Sequence, residues 1–409
     1  MHAAFAKGLC FRGLRIPSAG IKLRRMDLDQ HFPSLRYIKQ RAKRRLPYFV
    51  WEYLDSATGM EATKRRNREK LDEVRFTQGA FEGPFEPDLS TDLLGKQYGL
   101  PIGIAPVGMS GLIWPGAEHA LAQLGAEKSV PFCLSTAASS TPEDLAGDIG
   151  EMGWFQLYPP KDSGIRREML DRARAAGFHT LVVTIDIPTA SRRERQRHSG
   201  VQHPPQISPR LVAQAAMAPR WALATLLGGI PTLKLLEEYA ENKRSGGPTD
   251  HIGYRMRLSV SEDYFSEAVQ EWDGPVVVKG VMRPHAALRA RELGASAVWI
   301  SNHGGRQLDG AAAAIEILPQ IREEVGADYP LIFDSGVETG LDVLRALALG
   351  ADFVMAGRAF HYALAAFGAK GAAHMLHIFE DEMRSVMAQI GARDLSELAR
   401  GLWQPEKLR

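Results

Sequence analysis

After residue 100 the chain repeats one pattern eight times: a short, mostly apolar run rich in β-branched residues, then a longer stretch with helical periodicity. The runs lie at 101–105, 131–135, 154–158, 180–186, 275–279, 297–301, 331–334 and 353–356. Apolar runs without polar alternation, separated by helices, indicate a parallel sheet covered by helices. The intervening helices are clearest at 117–128, 165–176, 284–293 and 341–349, and Gly177, Gly294 and Gly350 stand where left-handed caps belong. Eight parallel strands close a barrel. An open doubly wound sheet is the rival, but the glycine fingerprint it needs after the first strand is missing. The expected fold is therefore α/β, a (β/α)8 TIM barrel over 101–390 with a long insertion, 195–261, after the fourth strand. A basic extension (1–26) and an N-terminal helical segment packing on the barrel (27–100) precede it, and a tail (391–409) follows. Pro33 and Pro47 are placed like first-turn prolines of that segment.

Polar, titratable or glycine residues stand at the carboxyl ends of nearly all the runs: Pro106, Val107 and Gly108; Ser135; Gln156 and Tyr158; Thr184 and Asp186; Lys279; Ser301 and His303; Asp334 and Gly336; Gly357 and Arg358. In a barrel these ends converge on the face that carries the catalytic site. The densest stretch is Ser301-Asn302-His303-Gly304-Gly305-Arg306-Gln307-Leu308-Asp309-Gly310. It offers a base titrating near neutrality, a sharp backbone turn and a cation to hold an anionic group beside the base. A tight loop with a hydrogen-bonded histidine is the plain alternative. Asp334-Ser335-Gly336 and Gly357-Arg358 fit glycine-rich phosphate turns after the last two strands, and so a phosphorylated ligand.

Taken together, the string SNHGGRQLDG and the order of the surrounding motifs resemble the FMN-dependent 2-hydroxy acid oxidising enzymes, over roughly residues 35–400. That resemblance implies FMN as cofactor, its ring across the barrel mouth and its phosphate near Gly336, Gly357 and Arg358. It implies that Pro106, Val107 and Gly108 contact the flavin's N5 side and that Ser135, Gln156 and Thr184 bind the ring. Ser301 and Asp334 also fall among the implied cofactor-binding positions. Lys279 would stabilise negative charge at the N1 and O2 edge, although a strand-end lysine can equally pair with a carboxylate. His303 matches the catalytic base and Asp186 its partner; Arg193 and Arg306 match the clamp on the substrate carboxylate; Tyr53 and Tyr158 match substrate-side tyrosines. Whether His303 takes the hydroxyl proton as hydride leaves, or the α proton itself, stays open. The chain departs from the family at 57–60, Ala-Thr-Gly-Met, and at Glu338, which stands where many members place a phosphate-binding arginine. Glu338 is therefore expected to turn outward, leaving the phosphate to Arg358 and backbone amides.

The second substrate is less constrained. Oxygen would make the protein an oxidase, and a quinone or another respiratory acceptor a dehydrogenase. Gly108, an alanine in several oxidases of the family, and the apolar insertion point to the quinone. The substrate is expected to be a small L-2-hydroxy acid, lactate first, with mandelate, glycolate and longer acids as alternatives. The insertion carries an apolar patch at 217–227 beside Arg210, Arg220 and Lys234. It reads as a lid, as an oligomer contact, or as a peripheral membrane segment like that of the membrane-associated members. A homotetramer is the assembly common among relatives. An isomerase using reduced FMN would not need His303, Arg306 and Arg193 together. A noncatalytic barrel would be expected to have lost some of the constellation.

Net charge is +2 with 24% charged residues, which argues against a nucleic-acid partner. The two cysteines, Cys10 and Cys133, suggest neither a metal site nor a disulfide framework, so a cytoplasmic setting, with peripheral contact at the cytoplasmic face, is expected. No apolar run reaches membrane-spanning length. Residues 1–26 hold basic side chains and no acid, and read as an extension rather than a transit peptide, with Met26 as an alternative start.

Overall fold

The computed structural model describes residues 27–200, 208–239 and 259–403. The basic extension, part of the insertion and the end of the tail lie outside the described residues. The chain forms a two-stranded hairpin, β1 (Thr91–Leu93) and β2 (Lys96–Tyr98), and eight barrel strands. These are β3 (Ile102–Ile104), β4 (Phe132–Ser135), β5 (Gly153–Leu157), β6 (Thr180–Thr184), β7 (Val276–Val281), β8 (Ala297–Ile300), β9 (Leu331–Phe333) and β10 (Phe353–Ala356). All neighbours pair in parallel, and β10 closes on β3 with Val354 opposite Ile102. Each strand falls on one of the eight expected runs, because strands covered on both faces are contiguous apolar stretches.

Large side chains such as Trp154, Trp299, Phe353 and Met355 fill the barrel interior, so it is a packed core and not a pore. The N-terminal segment 27–100, expected to be helical, also contains strands. Helices cover Leu35–Arg45, Tyr48–Asp55 and Ala62–Glu73, but the β1–β2 hairpin follows them. It turns through Leu94 and Gly95, both at positive φ, as a two-residue hairpin loop requires. Leu93 and Tyr98 join the barrel-interior cluster, and Trp154 Nε1 donates to the Tyr98 hydroxyl at 3.3 Å. Pro33 and Pro47 stand just before their helices, not in the first turns: Ser34 and Pro47 are the cap residues.

The insertion forms short helices, among them Pro209–Ala216, Pro219–Gly228 and Lys234–Glu238. Its inner side is anchored. Gln214 Oε1 accepts from the Phe49 backbone N–H at 2.8 Å, and Trp221 packs edge-on against Phe49 and donates to the Leu112 carbonyl. Its outer side leaves Met217, Leu226, Leu227 and Ile230 each more than two-thirds exposed. No helix among the described residues is long and apolar enough to cross a membrane.

Candidate active site

An open cleft with about 1450 Å³ of atom-free space, its mouth to solvent included, lies at the carboxyl ends of the barrel strands. Lys279, His303, Arg193, Arg306, Tyr53 and Tyr158 line one part of it; the turns at Pro106–Gly108, Asp334–Gly336 and Gly357–Arg358 line the rest, with Gln156 and Thr184. Thus residues from all over the chain share one wall, because the barrel brings every strand's carboxyl end to one face.

Asp186, Ser135 and Ser301 stand apart from this lining and support residues that belong to it. The Asp186 carboxylate receives His303 Nδ1 at 3.2 Å from both oxygens. A carboxylate partner fixes the hydrogen on Nδ1 and leaves Nε2 as the basic nitrogen. Burial works against ionisation of Asp186, yet His303 and Lys279 outweigh it and hold its carboxyl below the usual range. Burial likewise pushes His303 below its ordinary value despite Asp186, so the imidazole is neutral near pH 7, as a base requires. kcat/KM should therefore rise with pH as His303 loses its proton, with an inflection below about 6.5. In Asp186→Asn, which removes the charge that favours imidazolium, the inflection should move lower still. An inflection above the ordinary histidine value in the wild type would contradict the assignment.

Lys279 lies within β7 beside an irregularity: the β7–β8 register shifts between Lys279 and Val281. Gly280 makes this possible, with φ at +101°, and a Cβ there would come within 2.5 Å of Asp186 Cβ. Nothing larger fits between the lysine strand and the aspartate that orients His303, and the glycine following Lys279 in a strand was the available signal. Lys279 Nζ lies 2.8 Å from Ser301 Oγ and 3.0 Å from Asp334 Oδ2. Burial opposes its charge, but Asp334 and Asp186 outweigh that and raise its pKa, so it is a buried ammonium. Asp334 Oδ1 accepts from Ser301 Oγ at 2.6 Å, and Ser301 Oγ accepts from the His303 N–H at 3.0 Å.

The arginines carry the clearest electrostatic message. Arg306 donates to the Tyr53 and Ser56 carbonyls at 3.0 and 2.7 Å, Arg358 to the Gly304 carbonyl at 2.8 Å, and Arg193 to Gln307 Oε1 at 3.1 Å. All these acceptors are neutral. Burial, then Arg193 and Arg358, push the Arg306 guanidinium down to about 9. Like charges gathered around one cleft are relieved by anionic ligands. Gln307 and Ser191, which orient Arg193, escape a sequence reading that stops at the arginine itself.

Another part of the cleft lining presents buried donors. Ser135 Oγ donates to Gln156 Oε1 at 2.8 Å, which fixes the amide orientation. Gln156 Nε2 and Thr184 Oγ1 are then buried without a protein partner, an arrangement that costs stability unless a ligand completes it. Ser135 thus orients Gln156, which lines the cleft, instead of lining it itself. At the far end, the helix Arg358–Phe367 begins at Gly357, so free backbone N–H groups meet the cleft beside Arg358. Glu338, expected to turn outward, is among the residues lining the cleft; its side chain is 44% exposed, with Oε1 4.0 Å from Lys39 Nζ.

A parallel barrel whose cleft meets a helix N-terminus, buried donors without a protein partner and a histidine beside two arginines suits a phosphorylated cofactor and an anionic substrate. A family model described as FMN-dependent dehydrogenase matches residues 42–405, and the chain belongs to that family. It is 40% identical to the L-lactate dehydrogenase of Xanthobacter autotrophicus over 366 residues, 88% of this chain and 94% of that one. Among solved structures, the monotopic membrane protein (S)-mandelate dehydrogenase matches with a TM-score of 0.84 and 31% identity, covering 90% of this chain and 98% of that one. A mandelate oxidase matches with a TM-score of 0.75 and 29% identity, over 90% and 97% of the two chains. The cofactor is FMN and the reaction class is oxidation of the CH–OH group of a 2-hydroxy acid. The residues present fit that cofactor: unpartnered donors for a ring, a buried cation, and a guanidinium with a helix terminus for a phosphate.

Proposed function

We propose that this protein oxidises a small L-2-hydroxy acid, L-lactate first, to its 2-keto acid and passes the electrons to a quinone at a membrane surface. The observation that carries the reading is the neutral His303, held by Asp186, on the same cleft wall as Arg193 and Arg306. The arginines would grip the substrate carboxylate, and Tyr53 and Tyr158 would pack and hydrogen-bond beside it. His303 Nε2 would take one proton as the alcohol becomes a carbonyl. FMN, when bound, supplies the acceptor for the two electrons that the substrate gives up. Gln156, Thr184, Lys279 and the 106–108 turn would hold its ring, with Lys279 placed to stabilise negative charge; Arg358 and the amides near Gly336 and Gly357 would hold its phosphate.

The surface supports a membrane-borne acceptor. Leu226 and Leu227 are 79% and 80% exposed, and the same insertion sends Leu233 into the cleft lining. Nearby, Arg41, Arg44, Arg45 and Arg220 gather around one pocket. Exposed apolar side chains beside a basic patch suit an anionic membrane surface. The lactate dehydrogenase and membrane-protein relatives agree with this reading. It is tested by mixing lactate-reduced protein with anionic vesicles carrying a quinone. Reoxidation should be faster than with dissolved oxygen alone, and L226D/L227D should lose that advantage while lactate still reduces it at the wild-type rate. Equal reoxidation by air, or an unaffected variant, would overturn it.

A further inference from the structure

Beneath the cleft, a buried histidine joins two turns that the chemistry above leaves unconnected. His361 lies in the first turn of the helix Arg358–Phe367 and is 1% exposed. Its Nδ1 is 2.9 Å from the Gly357 carbonyl, and its Nε2 is 2.7 Å from Ser110 Oγ. Ser110 Oγ in turn lies 3.0 Å from the Val107 carbonyl. Gly357 ends the turn after β10 and Val107 belongs to the turn after β3, and both line the cleft. The two turns touch: a Cβ on Gly357 would sit 3.3 Å from Val107 Cγ2.

The hydrogens can be placed from the partners. A carbonyl only accepts, so Nδ1 carries hydrogen toward Gly357. Burial pushes His361 down to about 4, which keeps the ring neutral. Nε2 is then an acceptor, and the single hydrogen of the Ser110 hydroxyl is shared between Nε2 at 2.7 Å and the Val107 carbonyl at 3.0 Å, the shorter contact being the one to the histidine. In this arrangement the Gly357 carbonyl is engaged by the histidine, and Ser110 is fixed beside the 106–108 turn.

We propose that His361 and Ser110 form a polar strap that sets the spacing of the 106–108 and 357–358 turns, making His361 a positioning residue for FMN. The strap rests on the reading that these two turns hold the cofactor's ring and phosphate. The strands leading into the turns stay paired, with the Ala105 N–H on the Ala356 carbonyl at 2.9 Å; without the strap the segments beyond that bond, 106–108 and 357–358, lose their side-chain tie, and contacts to the bound cofactor weaken.

The test uses holoenzyme and follows FMN release on dilution through the return of free-flavin fluorescence. His361→Phe keeps a buried ring of similar size but removes both hydrogen bonds, and should accelerate release about tenfold, the worth of roughly one buried hydrogen bond. His361→Asn restores a donor toward the Gly357 carbonyl and should recover most of the loss. In a double-mutant cycle, Ser110→Ala should add little to His361→Phe, because the two side chains act as one unit. Wild-type release from H361F, or acceleration that H361N shares in full while melting temperature falls, would make His361 a packing residue and overturn the strap. A wild-type protein that binds no FMN would instead overturn the reading beneath it, so the two failures are distinguishable.

Discussion

His303→Gln should yield a yellow protein that its own substrate no longer bleaches. The imidazole is the neutral group in the cleft with a basic nitrogen to offer, since Nδ1 is committed to Asp186 at 3.2 Å. Glutamine keeps polarity and approximate size but has no comparable basicity. The loss of a positioned base costs about 10²–10⁴ in rate. FMN should stay bound, because the groups assigned to its phosphate and ring lie on other turns. Anaerobic rapid mixing with L-lactate, followed by flavin absorbance, measures both quantities. Reduction at the wild-type rate would remove His303 from the chemistry.

Arg306→Met is the second large effect. The guanidinium is fixed by the Tyr53 and Ser56 carbonyls, so it meets a carboxylate already oriented. Charge-assisted bonds contribute about 1.5–3 kcal/mol each, and losing a bidentate grip should lower kcat/KM about 10²–10⁴-fold. Arg306→Lys should recover only part of this, since an ammonium cannot reproduce the planar fork. Steady-state kinetics over a range of lactate concentrations reads the change, and an unaltered kcat/KM in R306M would exclude a carboxylate clamp at this position. Removing Arg306 also relieves the repulsion from Arg193 and Arg358, so loss of activity should not be accompanied by a large loss of stability.

The fold was legible because each barrel strand is a contiguous apolar run, and burial of both faces writes itself into sequence without alternation. The hairpin was not legible. Three-residue strands carry too little pattern, and Leu93 and Tyr98 reveal their role only by entering the barrel interior. At the site, residue type at strand ends located the cleft, and all the expected substrate-side residues line it. What sequence could not give was depth: Ser135, Ser301 and Asp186 stand one layer back and act through Gln156, Lys279 and His303. Nor could it show backbone strain. His303 and Ser335 sit at φ of 57° and 88°, and Ser335 Oγ accepts from the Asn302 and Gly304 N–H groups, which fixes the histidine loop over the strand ends. Glu338 shows a third limit, since its half-exposed position near Lys39 depends on a helix distant in sequence.

In the proposed reaction, one rim holds FMN, base and arginines together for a 2-hydroxy acid. Anaerobic titration of the purified holoenzyme with L-lactate tests it most directly. Complete loss of the oxidised flavin spectrum, with pyruvate formed in equal amount, is the predicted result. A protein that carries FMN but keeps its oxidised spectrum with L-lactate and with other L-2-hydroxy acids would contradict it.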